Sequence, residues 1–181
     1  MLIQIDKLKR RPRQIVLDEQ AKDFPVLREL IAQGTVAFNE TVKGTLEAVW
    51  AGDIIEVAGR LSTRVTSPCS RCLMPVTSPL EIQVMLCYAG KGDSEEVSDV
   101  EEVEIQSEEL GLIPFSGPEI DLRSDLDQEI IMALPQQPLC QVSCQGLCPV
   151  CGCNRNQSHC DCEPPVFHAG LAALKNFKAK Q

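Results

Sequence analysis

A chain of 181 residues has enough material for one sizeable core with a small appendage, and no run of about 18 apolar side chains offers a membrane span. The formal charge of −9 is local: nine acidic and no basic residues lie between Asp93 and Glu109, and the remainder is formally neutral, so charge does not exclude a nucleic-acid partner. The N-terminus lacks a charged region followed by an apolar one, so no secretory signal is expected. Thiols are then expected to stay reduced, and the ten cysteines read as metal ligands before disulfides.

Residues 2–18 place short apolar pieces on either side of Lys7, Lys9, Arg10, Arg11 and Arg13, which predicts one or two strands with a basic connection. Such a cluster contacts phosphates or is simply a solvated turn. Asp23 is suited to cap a helix from Phe24, with Pro25 in the first turn, Leu27, Leu30 and Ile31 on one face, and Gly34 ending it. From Thr35 to Tyr88 the apolar period becomes two. Leu46, Ala48 and Trp50, then Ile55, Val57, Gly59 and Leu61, then Ile82, Val84, Leu86 and Tyr88 each line one face. This predicts a consecutive antiparallel sheet, a meander or small barrel.

Cys69-Ser70-Arg71-Cys72, flanked by Pro68 and Pro75, sits where two strands meet. A redox C-x-x-C needs a helix after a strand to lower the first thiol's pKa, and strands on both sides favour a metal-binding knuckle instead. Residues 91–109 predict an acidic, mobile, non-catalytic loop. Asp121 is a suitable N-cap for a helix with Leu122, Leu126, Ile130 and Leu134 as its apolar stripe; Asp125 suits its first turn, Asp127 and Glu129 face solvent, and Pro135 stops it. After Pro164-Pro165 a last short helix carries Phe167, Leu171, Leu174 and Phe177.

Between Cys140 and Cys162 lie seven cysteines and few large apolar side chains, so a cross-link or a metal must hold this stretch. Cys148-Pro149-Val150-Cys151-Gly152 is a knuckle in which Pro fixes φ and Gly permits a left-handed turn. With Cys160 and Cys162 it supplies four thiolates, the donor set of a closed structural zinc site. Cys69, Cys72, Cys140 and Cys144 provide a second set. The alternative is a zinc ribbon in which Cys69 and Cys72 pair with Cys148 and Cys151; spacing does not choose. One or two Zn2+ ions are expected, and an iron–sulfur cluster would use the same ligand type. Cys87 reads as a small core residue and Cys153 as the spare thiol; His159 is a substitute for Cys160 as ligand or, in preference, a residue beside the ligand set or in solvent. With only His159 and His168, and no nucleophile with a base or phosphate-cradling loop, an enzyme is not expected.

Three motifs together resemble the YceD-like family of large ribosomal RNA subunit accumulation proteins, formerly a domain of unknown function. They are Cys69-Ser70-Arg71-Cys72-Leu73, the Glu119–Leu122 and Gln128–Pro135 pair around the second helix, and Leu139-Cys140, Cys144, Gly146–Gly152 and Cys160-x-Cys162. Asn154-Arg155-Asn156 and His168-Ala169-Gly170 depart from the family's usual Asn-Leu-Asn and Asp-Pro-Arg. Some members lack the tail cysteines, so the shared activity does not depend on the tail's metal. The resemblance implies a cytoplasmic or plastid stromal ribosome-biogenesis factor supporting synthesis, processing or stability of 23S rRNA, and no catalytic residue.

The resulting expectation is an α+β protein, with a β-rich body over residues 1–135 and a cysteine-rich tail over residues 136–181 packed on it. Arg71 and Arg155, oriented by metal, join Arg10, Arg11 and Arg13 as contacts to rRNA, a pre-ribosomal particle or a ribosomal protein. No membrane or small-molecule substrate is expected. The alternatives are a zinc-ribbon adaptor binding a ribosomal protein or polymerase without RNA contact, and a thiol redox sensor.

Overall fold

A computed structural model describes residues 1–90 and 111–163. The acidic segment 91–109 and the helix expected after Pro164 lie outside the described residues. The chain divides into two compact units: Met1–Ser67 with Thr77–Gln136, and Pro68–Val76 with Gln137–Gln181.

The first unit contains β1 (Leu2–Gln4), α1 (Ile5–Leu8), β2 (Arg13–Glu19), α2 (Pro25–Ala32), β3 (Ala37–Phe38), β4 (Val42–Ala51), the long pair β5 (Ile54–Pro68) and β6 (Pro75–Gly90), β7 (Ile113–Phe115), β8 (Glu119–Asp121) and α3 (Arg123–Met132); only the tips of β5 and β6 enter the second unit. The class is α+β. The main sheet runs β2-β4-β5-β6-β7 with β3 beside β5; it is open, not a closed barrel. Strands β2, β4 and β5 pair antiparallel, whereas β7 joins β6 in parallel. A separate two-stranded ribbon pairs β1 with β8.

Alternation builds this sheet. In β6, Leu80, Ile82, Val84, Leu86 and Tyr88 are buried while Glu81, Gln83 and Met85 face out. Strands β4 and β5 follow the same rule, with Leu46, Ala48, Ile55, Val57 and Leu61 in the core. Gly59 stands opposite Leu46, and a Cβ there would overlap the Thr45 carbonyl oxygen, so only glycine allows this approach. Cys87 points away from Leu86 and Tyr88 and is half-buried.

Helix ends differ from expectation. Asp23 does not cap α2; its carboxylate accepts the Gln20 N–H at 3.2 Å and closes the turn before the helix. The amides at the start of α2 are taken instead by Asp127, which is 1 % exposed and not solvent-facing as its helical position suggested. Asp121 likewise ends β8, and Leu122 occupies the N-cap of α3. The Asp121 carboxylate still accepts the Arg123 N–H at 3.1 Å. Asp125, in the first turn, accepts the Tyr88 hydroxyl at 2.5 Å.

Candidate metal centres

The second unit folds around two knuckles of the same form. In one, Cys69 and Met74 are joined by a backbone bond of 2.8 Å and Leu73 N–H returns to the Cys69 carbonyl at 3.0 Å. In the other, Gly152 N–H returns to the Cys148 carbonyl at 2.9 Å. The residue after the second thiol is left-handed in both, with φ of 60° at Leu73 and 74° at Gly152. This turn points successive N–H groups at the first sulfur, a backbone anion nest.

The structure brings together the sulfurs of Cys69, Cys72, Cys140 and Cys144, all within 4.8 Å of one another. Cys69 and Cys144 sulfurs are 3.9 Å apart, and those of Cys72 and Cys140 3.6 Å. A tetrahedron with metal–sulfur bonds of about 2.3 Å has edges of roughly 3.8 Å, so the donor set fits a bound metal ion. All ten cysteines are free thiols. Val76, Leu139 and Leu147 pack against this group, which leaves Cys140 the exposed member. Cys140 N–H points at the Cys69 sulfur at 3.5 Å.

Cys148, Cys151, Cys153 and Cys160 form the second group, their sulfurs also within 4.8 Å of one another. The sequence expectation takes Cys162 as the fourth donor and Cys153 as the spare; here Cys153 joins the gathered sulfurs and Cys162 stands beside them. The Cys148 N–H bonds the Cys153 carbonyl at 2.8 Å, and Leu147 and Asn154 form a bridge beside it. That small hairpin folds Cys153 back over the knuckle. Cys162 lies beside this group, its thiol pushed up to about 12 by the facing Cys151 sulfur and by burial. The ribbon pairing of Cys69 and Cys72 with Cys148 and Cys151 is not the arrangement observed.

Electrostatics within each group are graded. Backbone N–H groups of Arg71 and Cys72 bring the Cys69 thiol down to about 6, and those of Cys151 and Val150 bring Cys148 down to about 5. Cys140 is pushed up to about 12 chiefly by the Cys144 sulfur, and Cys153 to about 12 by Cys160 and Cys151. Each group thus sets a thiol that backbone donors bias towards thiolate beside thiols that neighbouring sulfurs bias towards the protonated form. Closed four-sulfur sets of this kind suit structural metal and leave no coordination position for substrate.

Both arginines of the unit are engaged internally. Arg71 Nη1 donates to the Cys144 carbonyl at 2.8 Å and the Val142 carbonyl at 3.4 Å. Arg155 Nη2 points at the Cys148 sulfur at 3.8 Å. Its neighbour Asn156, which the sequence reading passed over, donates from Nδ2 to the Cys144 sulfur at 3.3 Å while its Oδ1 accepts the Gln145 N–H at 2.9 Å. One short segment therefore touches both thiol groups. The signal was the amide pair flanking Arg155, whose side chains suit turns and thiolates alike. His159 is exposed, belongs to neither group, and lines a polar depression of about 610 Å³ with Gln145, Gln157 and Ser158. Arg10, Arg11 and Arg13 belong to the first unit and are exposed.

The family model described as large ribosomal RNA subunit accumulation protein YceD matches residues 57–178. The chain belongs to the YceD family. The matched stretch takes in strands β5 to β8, α3 and every cysteine. Among curated proteins, uncharacterized proteins of Mycobacterium bovis and Mycobacterium tuberculosis are each 33% identical over 100 residues, 53% of this chain and 42% of the relative. A Mycobacterium leprae protein, also uncharacterized, is 26% identical over 157 residues, 84% of this chain and 66% of the relative. Both 33% matches thus span less than half of the relative's length. No solved structure matches the chain. Among the described residues, no helix is long and apolar enough to cross a membrane.

Proposed function

We propose that this YceD-family chain is a non-enzymatic ribosome-biogenesis factor that sustains large-subunit rRNA, acting in the cytoplasm or plastid stroma on rRNA or a pre-ribosomal particle. The observation that carries the reading is the family match, which runs from within β5 through β6 to β8, α3 and the cysteine-rich unit. Zinc is the ion assigned to both thiol groups. Four reduced sulfurs at tetrahedral spacing, backbone donors to the sulfurs and no free ligand position support a redox-inert structural ion over a catalytic one. When bound, zinc neutralises thiolate charge and locks the two knuckles. The residues do the rest: Asn156 and Arg155 donate to sulfur, and Arg71 ties the Cys69 knuckle to the Cys144 carbonyl.

The test is depletion of the protein in its host, with large- and small-subunit rRNA quantified on one gel. A selective fall in the large-subunit species, restored by the wild-type gene, is the expected result; equal levels of both species would overturn the reading. A second reading, an adaptor that binds only protein, is favoured for the zinc unit by the inward engagement of Arg71 and Arg155. It predicts a complex insensitive to salt, whereas RNA binding weakens steeply as salt rises.

A further inference from the structure

We infer that the basic turn from Lys7 to Arg13, with Trp50 beside it, is a docking surface for single-stranded RNA. The inference rests on the ribosomal reading above and gives it a contact surface in the first unit. Its residues precede position 57, where the family match begins.

The turn is built to be displayed. Ile5 and Leu8 are buried and pin α1 to the core, while Lys9 N–H to the Ile5 carbonyl at 2.9 Å and Arg10 N–H to the Lys7 carbonyl at 3.3 Å fix the turn that follows. Lys7, Lys9, Arg10, Arg11 and Arg13 are all exposed, and among the described residues none of the five is ion-paired. The acids nearest in chain or register are Asp6 on α1 and Glu47, opposite Gln14; neither lies within 4 Å of these cations. Five cations with no ion pair among the described residues crowd a short segment and repel one another, and a polyanion relieves that repulsion.

Trp50 makes the partner more specific than a polyanion. The register of β2 on β4 sets Arg13 opposite Ala48, two residues from Trp50. The Lys9 ammonium lies 4.9 Å from the centroid of the half-buried indole. A base stacks on that ring face when Lys9 moves from it to a phosphate. An anionic bilayer would use the cations alone: the apolar residues of α1, Ile5 and Leu8, are buried, so nothing on the turn can enter the acyl region.

Trp50 is the chain's single tryptophan, so its emission reports on this surface. The experiment titrates the full-length zinc-loaded protein with a single-stranded RNA of mixed sequence, roughly 12 nucleotides long, over a range of salt concentrations. Saturable quenching of Trp50 is expected, with a log–log salt slope near −3 for about four phosphate contacts. The variant R10Q/R11Q/R13Q, altered only at exposed positions, should bind at least about ten-fold more weakly with a slope near −1. Trp50→Leu, followed with labelled RNA, should keep the slope and lose about five-fold or more in affinity. An undiminished triple variant, or RNA binding without change in Trp50 emission, would overturn the inference. So would phosphatidylserine vesicles or a poly-glutamate peptide competing as well as RNA, which would assign the surface to a membrane or an acidic protein. The ribosomal reading fails separately, when depletion leaves large-subunit rRNA unchanged while the titration behaves as described.

Discussion

Asp127 of α3 accepts the backbone N–H of Leu27 at 3.2 Å, across 100 positions of sequence, and that of Val26 at 2.7 Å. The first amides of a helix have no partner within it, and here a carboxylate from a second helix supplies them. A negative charge at the positive end of α2 adds to the bond, so this contact ties the two helices through charge as well as packing. Asp127→Ala leaves one buried and one part-buried donor unpaired and is expected to destabilise the first unit by about 2 kcal/mol, with Asp127→Asn costing roughly half as much. Urea unfolding followed by Trp50 fluorescence measures both. A loss below about 0.5 kcal/mol in the alanine variant would show that water takes over the role.

Tyr88 gives the fold a dependence on alkaline pH. Its hydroxyl donates to Asp125 at 2.5 Å, and burial together with that carboxylate holds the phenol well above its ordinary pKa. The folded pKa exceeds the unfolded value of about 10, so the contribution is complete below that pH and declines as pH rises above it. Tyr88→Phe should cost about 2 kcal/mol at neutral pH. The gap between wild type and variant should narrow above pH of about 10. Melting temperatures of the pair across pH provide the check; a gap independent of pH would place the effect in packing alone.

What was legible beforehand follows from the range of the interactions. Strands β4, β5 and β6 show in the sequence because each buries one face, and burial with period two is a local pattern. The knuckles show because a thiol, two spacers, a thiol and a left-handed residue form a self-contained turn. Asp127 was assigned to solvent because its contact comes from a distant helix, and nothing in its own neighbourhood announces Leu27. The exchange of Cys153 for Cys162 has the same origin. Spacing admits either thiol; the bond from the Cys148 N–H to the Cys153 carbonyl brings Cys153 into the gathered group, with Cys162 beside it against Cys151.

That exchange is open to direct measurement. Native mass spectrometry of the untagged protein should show two zinc ions per chain, and Cys69→Ser and Cys148→Ser should each lose one. Cys153→Ser should also lose one, while Cys162→Ser keeps both, because the gathered sulfurs are those of Cys148, Cys151, Cys153 and Cys160. The reverse pattern would restore Cys162 as the fourth ligand.

Asn156 and Arg155 are expected to tune the ions without binding them. The Asn156 amide donates to Cys144, whose thiol is held below its ordinary pKa; burial opposes this, and the Asn156 and Gly146 donors help outweigh it. Asn156→Ala should weaken zinc at the Cys69 group by about ten-fold, and Arg155→Ala should act chiefly on the Cys148 group. Competition with a chromogenic chelator, read on single-site variants, separates the two. Equal loss at both groups in either variant would mean that the segment acts as one structural unit.

Leu73 supplies the most direct test of the knuckle geometry. It holds φ of 60° where the other knuckle has Gly152, and it is 63 % exposed, so packing gives it little in return for the strain. A left-handed conformation costs an L-residue roughly 1–2 kcal/mol, while glycine is free of that cost and pays part of it back in unfolded-state entropy. Leu73→Gly should therefore leave zinc affinity unchanged or raise it by up to about five-fold, since 1 kcal/mol corresponds to roughly that factor. Leu73→Val should lower affinity, because branching at Cβ resists the left-handed turn more strongly. The two substitutions move in opposite directions only when the backbone is the cause. If both weaken zinc equally, the leucine side chain itself makes a contact that holds the knuckle.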